Sequence, residues 1–127
     1  MAEKKLVILD TDILIEIIRK NISVIQKCDK LGTKNLAISS ISFSEFLAGS
    51  RDKEDMQRNI KFLRKFKLVP VNKNIDRLFT DLYKKYAVSH RPGIPDMLIA
   101  ATALYYNHTV FTHNKRHFRF IPGIRLV

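Results

Sequence analysis

Short apolar runs along the chain alternate with segments in which apolar residues recur every three or four positions. The first run, residues 6–9, is continuously apolar, as expected of a central parallel strand that is covered on both faces. Residues 13–18 follow with helical spacing, and the same succession is repeated down the chain. The predicted strands cover residues 6–9, 36–38, 68–71 and 109–112, with a fifth candidate at 124–127. The predicted helices cover residues 13–18, 22–31, 42–48, 52–66, 75–86 and 95–106.

Strands that alternate with helices predict an α/β fold with a mostly parallel central sheet of about five strands. Gly32 is expected to end the second helix, and Pro70 favours the end of its strand or an edge position in the sheet. The sequence contains no internal repeat and no Gly/Ser-rich linker, so residues 1–127 are expected to form a single domain. In sheets of this kind, ligands bind beyond the carboxyl ends of the strands.

Basic residues outnumber acidic ones by 23 to 12, which gives the chain a formal net charge of +11. This excess predicts a polyanionic partner: nucleic acid first, then an acidic protein tail or a membrane surface. With 46% hydrophobic and 28% charged residues, the composition is that of a folded globular protein. Because charge by itself selects no reaction, the chemistry has to come from particular residues.

Several other classes of protein are excluded. Cys28 is the only cysteine, so a disulfide framework and a CxxC motif are absent, and a half-buried structural thiol is expected. The apolar N-terminal stretch is interrupted by Asp10, Asp12 and Glu16, which a signal or membrane segment would not carry. No HExxH zinc motif and no glycine-rich nucleotide-binding loop occurs. We therefore expect a cytoplasmic protein with no membrane partner.

Three carboxylates lie at junctions between predicted strands and helices. Asp10 follows the first strand, Glu45 opens the helix after the second, and Asp96 opens the helix before the fourth. Each has an ordinary explanation. Asp10 can cap the helix that it precedes, Ser42 and Glu45 match an S-x-x-E capping box, and Asp96 can favour the positive end of a helix dipole.

Together, these carboxylates indicate a metal site. They are expected to converge on one edge of the sheet, in a chain that is otherwise strongly cationic. Clustered carboxylates repel one another, and hard oxygen ligands in this number suit Mg²⁺ or Mn²⁺. A basic surface around an acidic metal site fits phosphodiester hydrolysis, in which cations hold the backbone and the metal activates water.

Four sequence blocks carry a resemblance to a known family. Residues 7–12 read VILDTD, 41–46 read ISFSEF, 95–103 read PDMLIAATA and 112–118 read THNKRHF. With these blocks in this order and spacing, the chain resembles the PIN-domain family over essentially its whole length. The resemblance is specifically to the VapC-type ribonuclease toxins of prokaryotic toxin–antitoxin pairs.

The resemblance implies a PIN-like three-layer α/β/α fold and a Mg²⁺- or Mn²⁺-dependent endoribonuclease that cuts RNA. Asp10, Glu45 and Asp96 would hold the metal, with Asp12 as a secondary acid. A homodimer is implied, and so is a cognate antitoxin that places a basic side chain among the carboxylates. The catalytic residues are expected to be Asp10, Thr11, Glu45, Asp96, Thr112 and Asn114. Arg116 and His117 are expected to bind the substrate, and the alternative for Arg116 is that it belongs to a solvated basic face.

His117 departs from the family pattern, because relatives often carry a fourth acid at this position. The histidine is expected to be a neutral metal ligand, a donor that faces the RNA phosphate, or merely a packed aromatic ring. It also leaves open a catalytically degenerate PIN domain that binds RNA or protein without cutting. A further alternative is a PIN nuclease of RNA processing that has no antitoxin.

Overall fold

A five-stranded sheet, with every strand parallel to its neighbours, organises the fold. The computed structural model describes residues 5–127. The predicted α/β fold with a mostly parallel sheet is confirmed. The strands are β1 (Val7–Leu9), β2 (Leu36–Ser39), β3 (Lys67–Val69), β4 (Thr109–Phe111) and β5 (Arg125–Leu126).

Within residues 5–127, six α-helices and two short 3₁₀ helices accompany the strands. Most of the α-helices begin at a side chain that accepts a main-chain hydrogen bond, as is typical of N-caps. The capping residues are Asp10, Asn21, Ser39, Asp52 and Asn72. The α-helices are α1 (Thr11–Ile18), α2 (Ile22–Leu31), α3 (Ser40–Ala48), α4 (Lys53–Leu63), α5 (Lys73–Tyr86) and α6 (Ile94–Tyr106). The 3₁₀ helices are Thr33–Asn35 and Lys115–His117.

The strands lie side by side in the order β3-β2-β1-β4-β5, and β1 is the switch point at which the chain changes from one side of the sheet to the other. From β1 the chain builds outward through β2 and β3, then returns to the other side of β1 for β4 and β5. Val7 pairs with Leu36 of β2 on one side and with Thr109 of β4 on the other. A crevice at such a switch point, beyond the carboxyl ends of the strands, is the usual ligand site of open α/β sheets.

Apolar side chains cover both faces of the sheet. Ile8 and Val110 pack in one cluster with buried side chains of α5 and α6. Leu9 and Phe111 pack in a second cluster with side chains from α1, α2, α3 and α4. Neighbouring residues of a strand point to opposite faces, so each strand contributes to both clusters. The three-layer α/β/α arrangement is therefore confirmed.

Two predicted boundaries can be compared directly with the structure. β3 ends at Val69, immediately before Pro70, and lies at an edge of the sheet, as the proline predicted. α3 begins earlier than predicted, because the Ser39 hydroxyl accepts a hydrogen bond from the Ser42 main-chain nitrogen at 3.2 Å. Ser42 therefore lies inside the helix, and the interpretation of Ser42 and Glu45 as a capping box is wrong.

Two expectations about cysteine and membranes can also be compared. Cys28 lies on α2, and its side chain is buried in the apolar cluster that contains Leu9 and Phe111. Burial raises the pKa of its thiol. This is more burial than the half-buried position expected, and it fits an inert structural thiol. Among residues 5–127, no helix combines the length and the apolar character needed to cross a membrane.

Candidate active site

Asp10 is a buried carboxylate at the switch point of the sheet. Its main-chain nitrogen donates to the carbonyl of Phe111 at 3.0 Å, which carries the pairing of β1 with β4 one residue further. One carboxylate oxygen accepts from the main-chain nitrogen of Thr11 at 2.8 Å, and the other accepts from the Thr112 hydroxyl at 2.8 Å. Asp10 therefore caps α1, as its ordinary explanation predicted, and is fixed in the crevice at the same time.

Asp12 lies one helical position beyond Thr11 and faces the segment that follows β4. Its Oδ2 accepts from the main-chain nitrogen of His113 at 3.0 Å and from Asn114 Nδ2 at 3.2 Å. Its Oδ1 is buried and has no hydrogen-bond partner. The main-chain nitrogen of Asn114 donates in turn to the Thr112 hydroxyl at 3.0 Å, so one short segment contacts both Asp10 and Asp12.

Asp96 occupies the first turn of α6, directly after Pro95. Gly93, the N-cap residue, offers no side chain to the helix end, so the carboxylate of Asp96 also complements the helix dipole. Asp96 Oδ2 lies 3.1 Å from Nδ1 of His117. The His117 side chain is 43% exposed, so the alternative of a packed aromatic ring is wrong.

Glu45 reaches the site through Thr11. Its Oε1 accepts from the Thr11 hydroxyl at 2.8 Å, while the Thr11 main-chain nitrogen donates to Asp10. Glu45 and Thr11 also line a cavity of about 340 Å³, together with Arg19 and Arg51. The structure therefore places Glu45 beside Asp10 by way of a shared threonine. Arg116 is exposed in the 3₁₀ helix that carries His117.

Burial and neighbouring negative charge raise the pKa values of Asp10 and Asp96. Burial, then the charge of Asp12, and to a smaller extent that of Asp96, raise the pKa of Asp10 from 3.8 to about 6, against the lowering effect of its hydrogen bonds. Burial also raises the pKa of Asp96, as does Asp12, while His117 lowers it. Burial and the nearby Asp96 raise the pKa of the Tyr83 hydroxyl. Asp10, Asp12 and Asp96 are thus close enough to interact through their charges.

The donor set fits a hard divalent cation. Within residues 5–127, no three Asp, Glu, His or Cys side chains are already positioned as a complete metal site. The chemistry of the residues is nonetheless suitable, because Asp10 and Asp96 are carboxylates whose charge is opposed by burial. Oδ1 of Asp12 is buried and accepts no hydrogen bond, and a divalent cation would give this oxygen a positively charged partner.

Some site residues were not predicted from the sequence. The main-chain nitrogen of His113 is part of the site, and a main-chain contact leaves no signal in residue identity. Tyr83 donates to the carbonyl of Pro92 at 2.5 Å and so holds the loop that leads to Asp96. Only tertiary packing brings Tyr83 there. Asp12, by contrast, was expected as a secondary acid, and the structure places it against the loop after β4.

Comparison with known proteins identifies the family. The family model described as "PIN domain" matches residues 7–122. The chain is 34% identical over 126 residues to "Ribonuclease VapC10" of Mycobacterium tuberculosis, covering 94% of this chain and 91% of the relative. The fold is similar to that in DNA-bound VapBC from Salmonella typhimurium, with a TM-score of 0.84, 26% identity and 98% coverage of both chains.

A toxin–antitoxin complex from Klebsiella pneumoniae also contains a similar chain. Its TM-score is 0.79 at 26% identity, with 95% of each chain covered. The matched family model spans the segment that contains Asp10, Glu45, Asp96 and Thr112. The chain therefore belongs to the PIN domain family and, within it, to the VapC ribonuclease group.

Proposed function

We propose that this chain is a single-domain, Mg²⁺- or Mn²⁺-dependent endoribonuclease that acts as the toxin of a toxin–antitoxin pair. The observation that carries the proposal is the buried Asp10 at the switch point of the sheet, with a pKa raised to about 6 beside Asp12 and Asp96. A protein holds charged groups in such an arrangement where function requires them. Membership of the VapC group indicates which function that is.

Asp10, Asp96 and Glu45 would hold the metal, which supplies activation of water and stabilisation of charge on the phosphate. The hydroxyl of Thr112 and the main-chain nitrogen of Thr11 orient Asp10, and the Thr11 hydroxyl orients Glu45. The chain's excess of 23 basic over 12 acidic residues would attract the RNA backbone.

The loop after β4 would complete the RNA site. Arg116 is exposed there, free to contact a phosphate. His117 touches Asp96 and is half exposed, so it would position that carboxylate on one side and face the substrate on the other. Asn114 would hold the loop against Asp12.

The partners follow from charge and from exposed apolar surface. An antitoxin segment that carries a basic side chain would pair with the carboxylates and displace the metal. On the first two helices, Ile18 is 49% exposed and Ile22 is 70% exposed. Such side chains suit burial against a second copy of the chain or against an antitoxin. We therefore propose an RNA substrate, a homodimer and a cognate antitoxin in the cytoplasm.

The direct test is cleavage of RNA by the purified full chain with Mg²⁺ or Mn²⁺, which EDTA should abolish. Asp96→Asn should lower the cleavage rate by roughly 10²–10³-fold or more, the scale of losing one preorganised charged group. Asp81→Asn is the matched control, because it removes one carboxylate from an exposed position on α5. Cleavage by folded Asp96→Asn at the wild-type rate would contradict the site assignment.

The toxin role needs a separate experiment in cells. Expression of the chain alone should arrest growth, and co-expression of the protein encoded by the neighbouring gene should restore it. Asp96→Asn should be harmless at the same level of expression. Normal growth during high expression of active wild-type protein would favour a processing nuclease without an antitoxin.

A further inference from the structure

We propose that Asp12 is a ligand of the divalent cation in this chain, through Oδ1, the carboxylate oxygen that accepts no hydrogen bond from the loop. The inference rests on the proposed metal-dependent function and names a residue outside its core of Asp10, Glu45 and Asp96. Asp12 would then be the carboxylate that supplies the fourth negative charge of the site.

The first observation is that the two oxygens of Asp12 have different surroundings. Oδ2 accepts two hydrogen bonds, from the main-chain nitrogen of His113 and from the amide of Asn114. Oδ1 is buried, and no hydrogen-bond donor reaches it. Leaving a buried charged oxygen without a partner costs free energy, so such an atom requires an explanation. A cation bound at Oδ1 provides that explanation.

The second observation is the position of Asp12 between the other two carboxylates. The loop after β4 contacts all three aspartates in turn: Thr112 donates to Asp10, residues 113 and 114 donate to Asp12, and His117 lies 3.1 Å from Asp96. Because the contact with Asp12 comes between the other two along this loop, Asp12 belongs to the same crevice. Asp10 is the N-cap residue of α1 and Asp12 is the second residue of that helix, so the two side chains start from different points of the backbone.

The third observation concerns the side chain of His117. Nδ1 of His117 is turned to Asp96, so the ring adds no negative charge and orients a carboxylate instead. Asp10, Glu45 and Asp96 supply three negative charges, and Asp12, held beside them by the loop after β4, supplies a fourth for a divalent cation.

A purely structural role for Asp12 predicts different behaviour. If Asp12 only tied residues 113 and 114 to α1, an asparagine would serve almost as well, since its side-chain oxygen accepts from the same main-chain nitrogen. A ligand role requires the negative charge. In the metal-free chain the neighbouring carboxylates repel one another whichever role Asp12 has, so removing its charge should not lower stability.

The experiment is a calorimetric titration of the metal-free, full-length chain with Mn²⁺ in the absence of RNA. Asp12→Asn should weaken Mn²⁺ binding by about tenfold or more, at least the loss seen for groups that act on a metal through another residue. Asp81→Asn should leave the affinity within about twofold of wild type, since long-range charge effects are screened by salt. In EDTA, the melting temperature of Asp12→Asn should equal or exceed that of wild type. Adding Mn²⁺ should raise the melting temperature of Asp12→Asn less than it raises that of wild type.

A second variant separates ligation from loop support. Asn114→Ala removes the amide partner of Oδ2 and leaves the charge of Asp12 in place. If it weakens Mn²⁺ binding as much as Asp12→Asn does, Asp12 acts through the loop and the ligand role is wrong. Wild-type Mn²⁺ affinity in Asp12→Asn also overturns the inference, whereas the proposed function survives if Mn²⁺ still supports RNA cleavage. A wild-type chain that neither binds Mn²⁺ nor cuts RNA overturns both.

Discussion

The two ends of the sheet bury polar side chains to the same extent but with opposite consequences. His108 precedes β4 at the amino end and Asp10 follows β1 at the carboxyl end, and each side chain is 6% exposed. Nδ1 of His108 accepts from the main-chain nitrogen of Leu6 at 3.0 Å, and the ring stacks on Tyr106 with centroids 5.3 Å apart. An accepting Nδ1 carries no proton, so this imidazole is neutral. Burying the His108 side chain therefore does not place a charge in the protein interior.

At the carboxyl end, burial acts against charge. The pKa of Asp10 is raised by burial and by two further acids, and Oδ1 of Asp12 has no donor. Cavity size does not reveal this difference. The amino-end cavity of about 320 Å³ is similar in volume to the one beside Glu45, and it is lined mostly by apolar side chains. The unfavourable placement of charge, and not the volume of a cavity, identifies the site.

The largest effect on stability is expected from removing that charge. The pKa of Asp10 rises from 3.8 to about 6 on folding, so Asp10 favours the folded state below about pH 4, and this contribution is lost as the pH rises through 6. At about 1.36 kcal/mol per unit, the ionised carboxylate costs roughly 3 kcal/mol at pH 7.5. Asp10→Asn should therefore raise the free energy of unfolding by up to about 3 kcal/mol in EDTA, measured by urea denaturation.

The pH dependence provides the control for this prediction. The gain of Asp10→Asn over wild type should shrink towards zero at about pH 4, where Asp10 is protonated in the folded state. Adding Mn²⁺ should reverse the order, because the cation stabilises wild type selectively. If Asp10→Asn is less stable than wild type in EDTA at pH 7.5, the hydrogen bonds from Thr11 and Thr112 outweigh the repulsion, and the comparison of the two ends fails.

Much of this contrast was accessible from the sequence, because the fold depends on regular patterns. The continuous apolar run before Asp10 predicted a central strand, and Pro70 predicted the end of an edge strand. The same patterns place residues after β1 and β4 at one edge of a parallel sheet. That Asp10 and Thr112 touch at 2.8 Å follows from this topology.

The cap of α3, main-chain hydrogen bonds and contacts from short loops could not be predicted from the sequence, because apolar periodicity does not describe them. The capping-box interpretation of Ser42 was wrong because Ser39, at the end of β2, was the better placed cap. Whether Asp12 uses one oxygen or two depends on the main chain at His113, and main-chain geometry is not encoded by side-chain type alone. The pairing of His117 with Asp96 joins residues 21 positions apart through a 3₁₀ helix, an element too short to show a periodic pattern.

An intermediate effect is expected at the amino end. His108→Leu should leave the main-chain nitrogen of Leu6 without its acceptor and lower the free energy of unfolding by about 2 kcal/mol. His108→Gln is the matched variant, because its side-chain oxygen can accept from the same nitrogen, and it should recover much of the loss. Neither should alter Mn²⁺ affinity. A change of Mn²⁺ affinity in folded His108→Gln would contradict the separation of the two ends.

The smallest effect is expected at the exposed border of the acidic end, where His117 contacts Asp96. His117 acts as a positioning residue, because a donor on Asp96 Oδ2 fixes the direction of that carboxylate. His117→Ala should lower RNA cleavage by about tenfold, the low end for such a partner, because the imidazole is 43% exposed and water can replace part of the contact. His117→Gln should restore part of the rate by offering an amide donor. His113→Ala is the control, since only its main-chain nitrogen contacts Asp12 and alanine retains it. Equal losses in His113→Ala and His117→Ala would mean that the loop acts as a whole and that the contact with Asp96 has no particular role.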